Sequence, residues 1–307
     1  LFEWRLPATL NCWRCHPDLL IFNLRMSDTR FERNRLDLNR LAAALHQEPV
    51  GHTIDYHDSV PSTMPLARQL AHQPGTRTGT LVVAEEQTAG RGRFDRRWET
   101  PPGQALLLSL ILLPPLPCAL AQLPMRTALA VAYALERACP PLAGLVGLKW
   151  PNDVLLGHSM ADAGKVAGIL IESEWQADRL GPVVIGIGIN VNQEAAALPA
   201  SPPGAPPPTS VRNWLPGSPL QDRTALLVAL CRALGEQFFA TADDVAWQAW
   251  RDRLLTLGHE VQILADGRLL CVGRAETVTP DGALIVVDEA GARHQLRAGE
   301  VTVRHLS

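Results

Sequence analysis

Four short segments of this 307-residue chain concentrate groups able to bind and activate a charged substrate. The densest is Gly90-Arg91-Gly92-Arg93-Phe94-Asp95-Arg96-Arg97-Trp98, with four arginines inside seven positions. Glycines let backbone N–H groups approach a ligand, and guanidinium pairs with carboxylate or phosphate through two parallel hydrogen bonds. Such a loop can hold a small acid beside a triphosphate and order itself around both. The same composition also suits a solvated, charged surface loop. Lys149-Trp150-Pro151-Asn152-Asp153 gathers an ammonium, an amide and a carboxylate at the end of an apolar stretch. These suit phosphate, adenine or ribose, and Mg²⁺ respectively. Lys165-Val166-Ala167-Gly168-Ile169-Leu170-Ile171-Glu172 sets a cation at the mouth of an apolar strand. Gly186-Ile187-Gly188-Ile189-Asn190-Val191-Asn192 combines glycines that allow close backbone approach with amides that can bond a planar base. It is no dinucleotide fingerprint, because no third glycine opens a helix after it.

The cations carry a further signal. Of 28 lysines and arginines, only Lys149 and Lys165 are lysines. Either they survive by chance, or each needs a compact ammonium on a flexible stem where a planar guanidinium does not fit. The net charge of −3 argues against generic attraction to nucleic acid or anionic membrane. The apolar fraction of 47% supplies a sizeable core, and the length fits one large domain with a satellite, or two domains. The best apolar run, Ala105 to Leu113, is interrupted by Ser109, stops at Pro114-Pro115 and is too short for a membrane helix. Six cysteines are too sparse for a secreted disulfide scaffold and point to a reducing, cytoplasmic setting.

Helices that would position these segments are expected at Leu38 to His46, from Pro61-Ser62-Thr63 to about His72, at Gln122 to Ala138, at Arg223 to Phe239 and at Ala246 to Leu255. Strands are expected at Thr80 to Glu85, Ala105 to Leu113, Val146 to Trp150, Val154 to Leu156, Lys165 to Trp175 and Val183 to Asn190, with Gly90 to Gly103 a loop. Ala195 to Pro208 holds six prolines in fourteen residues and reads as a surface loop or mobile excursion. After Gly258, strands at Glu260 to Leu264, Leu269 to Val278, Ala283 to Asp288 and Gln295 to Arg304 are punctuated by Asp266-Gly267, Asp281-Gly282 and Ala290-Gly291, the spacing of a small antiparallel barrel. Leu1 to Arg25 has no sustained period and no signal-peptide order, so translation is expected to begin at Met26. Cys12-Trp13-Arg14-Cys15-His16 matches a c-type haem attachment pattern, which is set aside because no secretory signal accompanies it.

In this order and spacing the four segments resemble the biotin protein ligases, whose pattern is G-R-G-R-x-G-R-x-W, K-W-P-N-D, K-x-A-G-I-L and G-x-G-x-N. The resemblance runs from about Tyr56 to the C-terminus. It implies an α+β fold: a catalytic domain akin to class II aminoacyl-tRNA synthetases over 51–256, with a mixed sheet and helices, and an SH3-like barrel over 257–307. Residues 1–50 would be an N-terminal extension. It also implies a biotin–[acetyl-CoA-carboxylase] ligase, which uses ATP with Mg²⁺ to make biotinyl-5'-AMP and passes biotin to a lysine of a biotin carboxyl carrier protein domain. Under it Ser62, Thr63, Gln87, Gly90, Arg91, Gly92, Arg93 and Lys165 contact biotin, with Thr63 and Gln87 near the ureido ring. Arg93, Arg96, Lys149, Asn152, Asp153 and Asn190 serve ATP, and Lys165 and Arg93 are catalytic. Met64 stands where the family has Asn, and Phe94-Asp95 replaces x-Gly, which removes a flexible point from the Arg loop. Met26 to Tyr56 is too short for the winged-helix DNA-binding domain, so the non-regulatory branch is expected, without DNA or membrane partners and with a homodimer left open. The rivals are lipoate or octanoate transfer on the same scaffold, and a nucleic-acid-binding protein built on the Arg loop. ATP–pyrophosphate exchange and gel shift discriminate them.

Overall fold

A seven-stranded mixed sheet carries all four segments. The structure is a computed structural model and describes residues 34–94, 96–201, 204–265, 268–297 and 302–305. The expectations for Met26, for residues 1–25, for Cys12 to His16, for Asp95 and for the Asp266-Gly267 turn lie outside the described residues.

The strands are β1 (Ile54–Val60), β2 (Leu81–Gln87), β3 (Ala105–Leu112), β4 (Val146–Lys149), β5 (Asp153–Leu156), β6 (Gly164–Gln176) and β7 (Arg179–Asn190), in the order β1-β2-β3-β7-β6-β5-β4. β1 and β2 are parallel and every other pair is antiparallel. All eight residues of β3 are buried, which is why its sequence is an unbroken apolar run. On one face Leu106, Leu108, Leu110 and Leu112 join the main core, with α1 (Leu38–Leu45), α3 (Leu123–Ala138) and α5 (Arg223–Phe239). On the other, Ile111 packs with Met64 and Ala67 of α2 (Thr63–Ala71). Two further helices are α4 (Val211–Trp214) and α6 (Asp243–Asp252).

Local chemistry explains the helix boundaries. Asp37 accepts from Arg40 N and caps α1, and Asp222 accepts from Ala225 N and caps α5. α6 begins at Asp243, not Ala246, because Asp243 and Asp244 complement the partial positive charge of its first turn. Residues 34–50 pack onto the sheet: Leu36, Leu41, Leu45 and Val50 are buried, and Leu36 N donates to Glu85 at 2.8 Å.

A five-stranded antiparallel sheet follows: β8 (Glu260–Ala265), β9 (Arg268–Val278), β10 (Leu284–Asp288), β11 (Arg293–Leu296) and β12 (Thr302–His305), in the order β11-β10-β9-β8-β12. The single strand expected over Gln295 to Arg304 is therefore two strands on opposite edges. β11 pairs with β10 and β12 with β8, a crossing that no straight strand can make. This sheet docks through Trp150 Nε1 to Gly282 O (2.9 Å), Trp247 Nε1 to Thr279 O (3.1 Å) and Lys149 Nζ to Val303 O (2.9 Å). Among the described residues no helix is long and apolar enough to cross a membrane.

Candidate active site

The four segments converge on one cavity of about 440 Å³. One end of it is hydrogen-bonding and nearly neutral. Thr63, the first residue of α2, donates from its backbone N (2.8 Å) and its Oγ1 (3.1 Å) to Gln87 Oε1 at the end of β2. Thr63 Oγ1 also lies 2.7 Å from Ser109 Oγ on β3. With its Oε1 engaged, Gln87 has its NH₂ to offer a ligand carbonyl. Ser62 Oγ lines the cavity, buried and without a protein partner among the described residues. Met64 closes the wall: a Cβ on Gly186 would lie 2.7 Å from its Sδ, so the two positions are size-coupled.

Between the ends lies a glycine floor under an indole. A Cβ on Gly188 would come within 2.6 Å of the Trp98 ring, and one on Gly168 within 2.9 Å. Only glycine lets the indole rest on β6 and β7 this closely. Lys165 Nζ sits 5.6 Å from the Trp98 ring centroid, within cation–π range.

The other end is charged. Asp153 opens β5 opposite Lys149 of β4, and a bulge in the β5–β6 pairing brings Lys165 Nζ to 2.7 Å from Asp153 Oδ1. One lysine thus pairs with this carboxylate and the other, bonded to Val303 O, is near enough to act on its charge. Burial by itself would raise the Asp153 carboxyl, but the ammonium groups of Lys165 and Lys149, with the Arg93 guanidinium, hold it below the usual carboxylate range. Burial lowers the Lys149 amine, Asp153 opposes that, and Lys165, Arg96 and Arg93 add to the lowering. A triphosphate placed here meets a surplus of cations: among the described residues, four arginines and two lysines line the cavity against Asp153 and Glu99.

The Arg loop is a hairpin. Trp98 N donates to Gly90 O (2.9 Å), Gly92 N donates to Arg96 O (2.7 Å), and Arg91 and Arg97 form an antiparallel bridge. Gly90 serves this neck and not the cavity wall, since a Cβ there would lie 2.4 Å from Trp98 O. Arg93 Nη1 donates to Asn152 Oδ1 (3.1 Å), and Asn152 Nδ2 donates to Ile169 O (2.8 Å). Arg91 reaches Glu172 at 3.5 Å, and Glu172 is also paired with Arg68 of α2. The replacement of x-Gly by Phe94-Asp95 is accommodated at Phe94, which takes the left-handed conformation at φ +55°, its ring 4.8 Å from the Arg93 guanidinium.

Asn190 Nδ2 donates to Thr209 O (3.0 Å) and Asn190 Oδ1 accepts from Gln193 (2.9 Å). Asn192 is bound at both ends of its amide by the Gln221 backbone. Both asparagines therefore brace the chain after β7. What they brace is the proline-rich stretch, a surface loop with Ala200, Gly204 and Pro207 exposed that is also a wall of the site: Pro199, Ser201, Pro206 and Pro208 line the cavity. Lys165 N donates to Pro207 O (2.7 Å) and Thr209 N to Lys165 O (2.8 Å), so the stretch pairs with β6 at the lysine itself. Prolines cannot donate, but their carbonyls accept and their extended backbone suits a short edge pairing.

Reasoning from sequence also passed over Ser109 and Val303. Ser109 had a signal, as the one hydroxyl in an otherwise apolar strand. Val303 had none, because it reaches the cavity only through the docking of the second sheet.

A mixed sheet with helices, a second antiparallel sheet and a cationic cavity at the strand ends fits the description Biotin/lipoate A/B protein ligase family, which matches residues 56–190. The description Biotin protein ligase C terminal domain matches residues 256–304. The chain is 37% identical to the biotin–[acetyl-CoA-carboxylase] ligase of Paracoccus denitrificans, over 76% of this chain and 95% of that protein. It is 40% identical to the bifunctional ligase/repressor BirA of Bacillus subtilis, over 54% of this chain and 48% of that protein, so the match spans about half the length of that relative. The biotin protein ligase of Aquifex aeolicus in complex with biotin and ATP superposes with a TM-score of 0.62 at 28% identity, covering 82% of this chain and 99% of that one. The chain belongs to the biotin protein ligase family.

Proposed function

We propose that this protein is an ATP-dependent biotin–protein ligase, which joins biotin to AMP and passes the biotinyl group to a lysine of a biotin carboxyl carrier protein domain. The observation that carries the reading is one cavity with a hydrogen-bonding end at Ser62, Thr63 and Gln87 and a cationic end at Lys165, Lys149 and Arg93. The first suits a ureido ring with a donor and an acceptor, the second a carboxylate next to a triphosphate. A lipoyl or octanoyl chain would leave the Ser62 hydroxyl and the Gln87 NH₂ unpaired, at a cost of roughly 1–3 kcal/mol per buried group.

The biotin carboxylate attacks the α-phosphorus of ATP, an O–P bond forms, and pyrophosphate leaves with the electron pair of the broken bond. Negative charge grows on the phosphoryl oxygens, and Lys165 and Arg93 stabilise that growth more than they stabilise the ground state. Ser62, Thr63, Gln87 and Arg91, with the backbone at Gly92, orient biotin, and Gly90 holds the neck of the hairpin that carries Arg91 and Gly92. Arg96, Lys149, Asn152, Asp153 and Asn190 orient the nucleotide. Mg²⁺ entering with ATP would add charge neutralisation, and Asp153, a carboxylate of the cavity lining, could hold it. The ε-amine of the carrier lysine then attacks the carbonyl, and AMP leaves. The product anhydride is open to water, so the Arg loop and the proline-rich wall have to cover it.

This reading includes a class II synthetase-like catalytic unit over 51–256, an SH3-like barrel over 257–307 and work in the cytoplasm. The four cysteines among the described residues are free, which suits that compartment. A homodimer fits as well: beyond Ile169, β6 has no strand on its β5 side among the described residues, and Trp175 there is exposed.

The test is mass spectrometry of the protein after incubation with biotin and ATP, with pyrophosphate exchange run against biotin and lipoate. Retained biotinyl-5'-AMP and exchange with biotin are expected. Exchange with lipoate alone would move the function to the rival acid.

Arg93→Gly is expected to keep forming adenylate but to release it. Arg93 is tied to Asn152 over the cavity, and loss of a guanidinium–phosphate contact worth roughly 1.5–3 kcal/mol shortens the dwell time of the intermediate. Incubation with biotin, ATP and albumin should show more albumin biotinylation by the variant. Equal labelling by both proteins removes Arg93 from the retention role.

A further inference from the structure

Seven large apolar side chains are exposed among the described residues, and Phe94 is the one of them that borders the cavity. Its ring is half exposed at the tip of the Arg hairpin. The placement is not a loose end. Phe94 holds a left-handed φ of +55°, a conformation costly for a bulky residue, and the hydrogen bonds from Gly92 to Arg96 and from Trp98 to Gly90 brace the turn on both sides. The Arg93 guanidinium lies 4.8 Å from the ring. Arg91, Arg96 and Arg97, all exposed, line the same cavity.

We propose that Phe94 is the docking contact for the carrier domain that receives biotin, an inference that rests on the ligase reading above. The geometry leaves the acceptor little choice. The acyl carbonyl would lie beside Lys165 inside the cavity, so the acceptor lysine has to enter through the mouth, and the domain that bears it has to touch the rim. At that rim the residues left over from the substrates are the Phe94 ring and Arg97, both exposed and of the types that dominate the buried centres of protein interfaces. The partner they fit is a domain that offers an apolar side chain to the ring and a carboxylate to the guanidinium while its lysine enters the cavity. The rival use of the ring, as a cover over the nucleotide, is separated from this one by measuring the two half-reactions apart.

The variants are Phe94→Asn, which removes the ring and tolerates the left-handed backbone, and Phe94→Leu, which keeps apolar bulk. Each is assayed for pyrophosphate exchange with biotin, and in single turnover for transfer from preformed biotinyl-5'-AMP to an apo biotin carboxyl carrier domain and to hydroxylamine. Phe94→Asn should lose about tenfold in kcat/KM for the carrier, equivalent to about 1.4 kcal/mol, through KM. Exchange and hydroxylamine capture should stay within about twofold of wild type, and Phe94→Leu should recover most of the carrier transfer. Carrier transfer indifferent to Phe94 overturns the inference, as does an equal fall in exchange, which would assign the ring to the nucleotide. No exchange with biotin by the wild type would remove the ligase reading and this inference with it.

Discussion

Lys165→Ala is expected to yield a folded protein in which biotinyl-5'-AMP forms about 10²–10³ times more slowly, the usual cost of losing one electrostatic contact to a developing anion. Lys165 Nζ is tied to Asp153 Oδ1 at 2.7 Å, and its backbone is clamped by Pro207 O and Thr209 N, so the ammonium is held in place before substrate arrives. Folding should survive because Lys149 and Arg93 still face Asp153. The acid limb should change, though. A carboxyl held below its ordinary pKa contributes stability that is present above the unfolded value and is lost as pH falls through the folded one. Removing the nearest ammonium shrinks that depression, so Asp153 contributes less stability to the variant at neutral pH, and the loss from this group on acid titration should be shallower than in wild type. Lys165→Arg should fail in catalysis too, because a planar fork cannot occupy the space between Trp98 and Asp153 as a compact ammonium does. Circular dichroism and pyrophosphate exchange check both variants. Exchange near the wild-type rate would make Lys165 a structural partner of Asp153 and nothing more.

The largest loss of stability is expected from Glu85→Ala, by about 3–5 kcal/mol, the cost of removing one partner of a buried ion pair. Glu85 is fully buried on β2. Its Oε1 accepts from Tyr56 Oη (2.7 Å) and Leu36 N (2.8 Å), and its Oε2 from Arg223 Nη2 (2.6 Å). Arg223, on α5, also donates to Ala105 O at 2.9 Å and to Asn34 O. One carboxylate thus ties the segment before α1, β1, β2 and α5 together. Burial, and then Glu85 itself, push the Tyr56 phenol above its ordinary range, so it remains a donor throughout the neutral pH range. Without Glu85 a guanidinium, a phenol and a backbone N–H stay buried without their acceptor. A urea midpoint that shifts by the equivalent of less than about 1 kcal/mol would show that water or relaxation replaces the carboxylate.

The sequence alone determined what depends on near neighbours. The periods of Leu226, Leu230, Leu234 and Phe238 and of the buried run in β3 read correctly as helix and strand, because one face of a helix or both faces of a central strand leave a pattern within a dozen residues. The four motifs and their order were equally legible, since each is contiguous. β1 was missed: its apolar alternation, Ile54, Tyr56 and Val60, is diluted by Asp55, His57 and Asp58, as befits an edge strand with one wet side. Only the tertiary structure decided which groups share a site. It paired Lys165 with Asp153 and brought Lys149 within electrostatic reach of both, turned the proline-rich stretch into a wall paired with β6, and brought Val303 of the second sheet to the Lys149 ammonium. It also showed the glycines of β6 and β7 to be the seat of an indole that lies far from them in the chain. These contacts join residues tens to more than a hundred positions apart. Their partners are chosen by sheet order and register, and no local period encodes either.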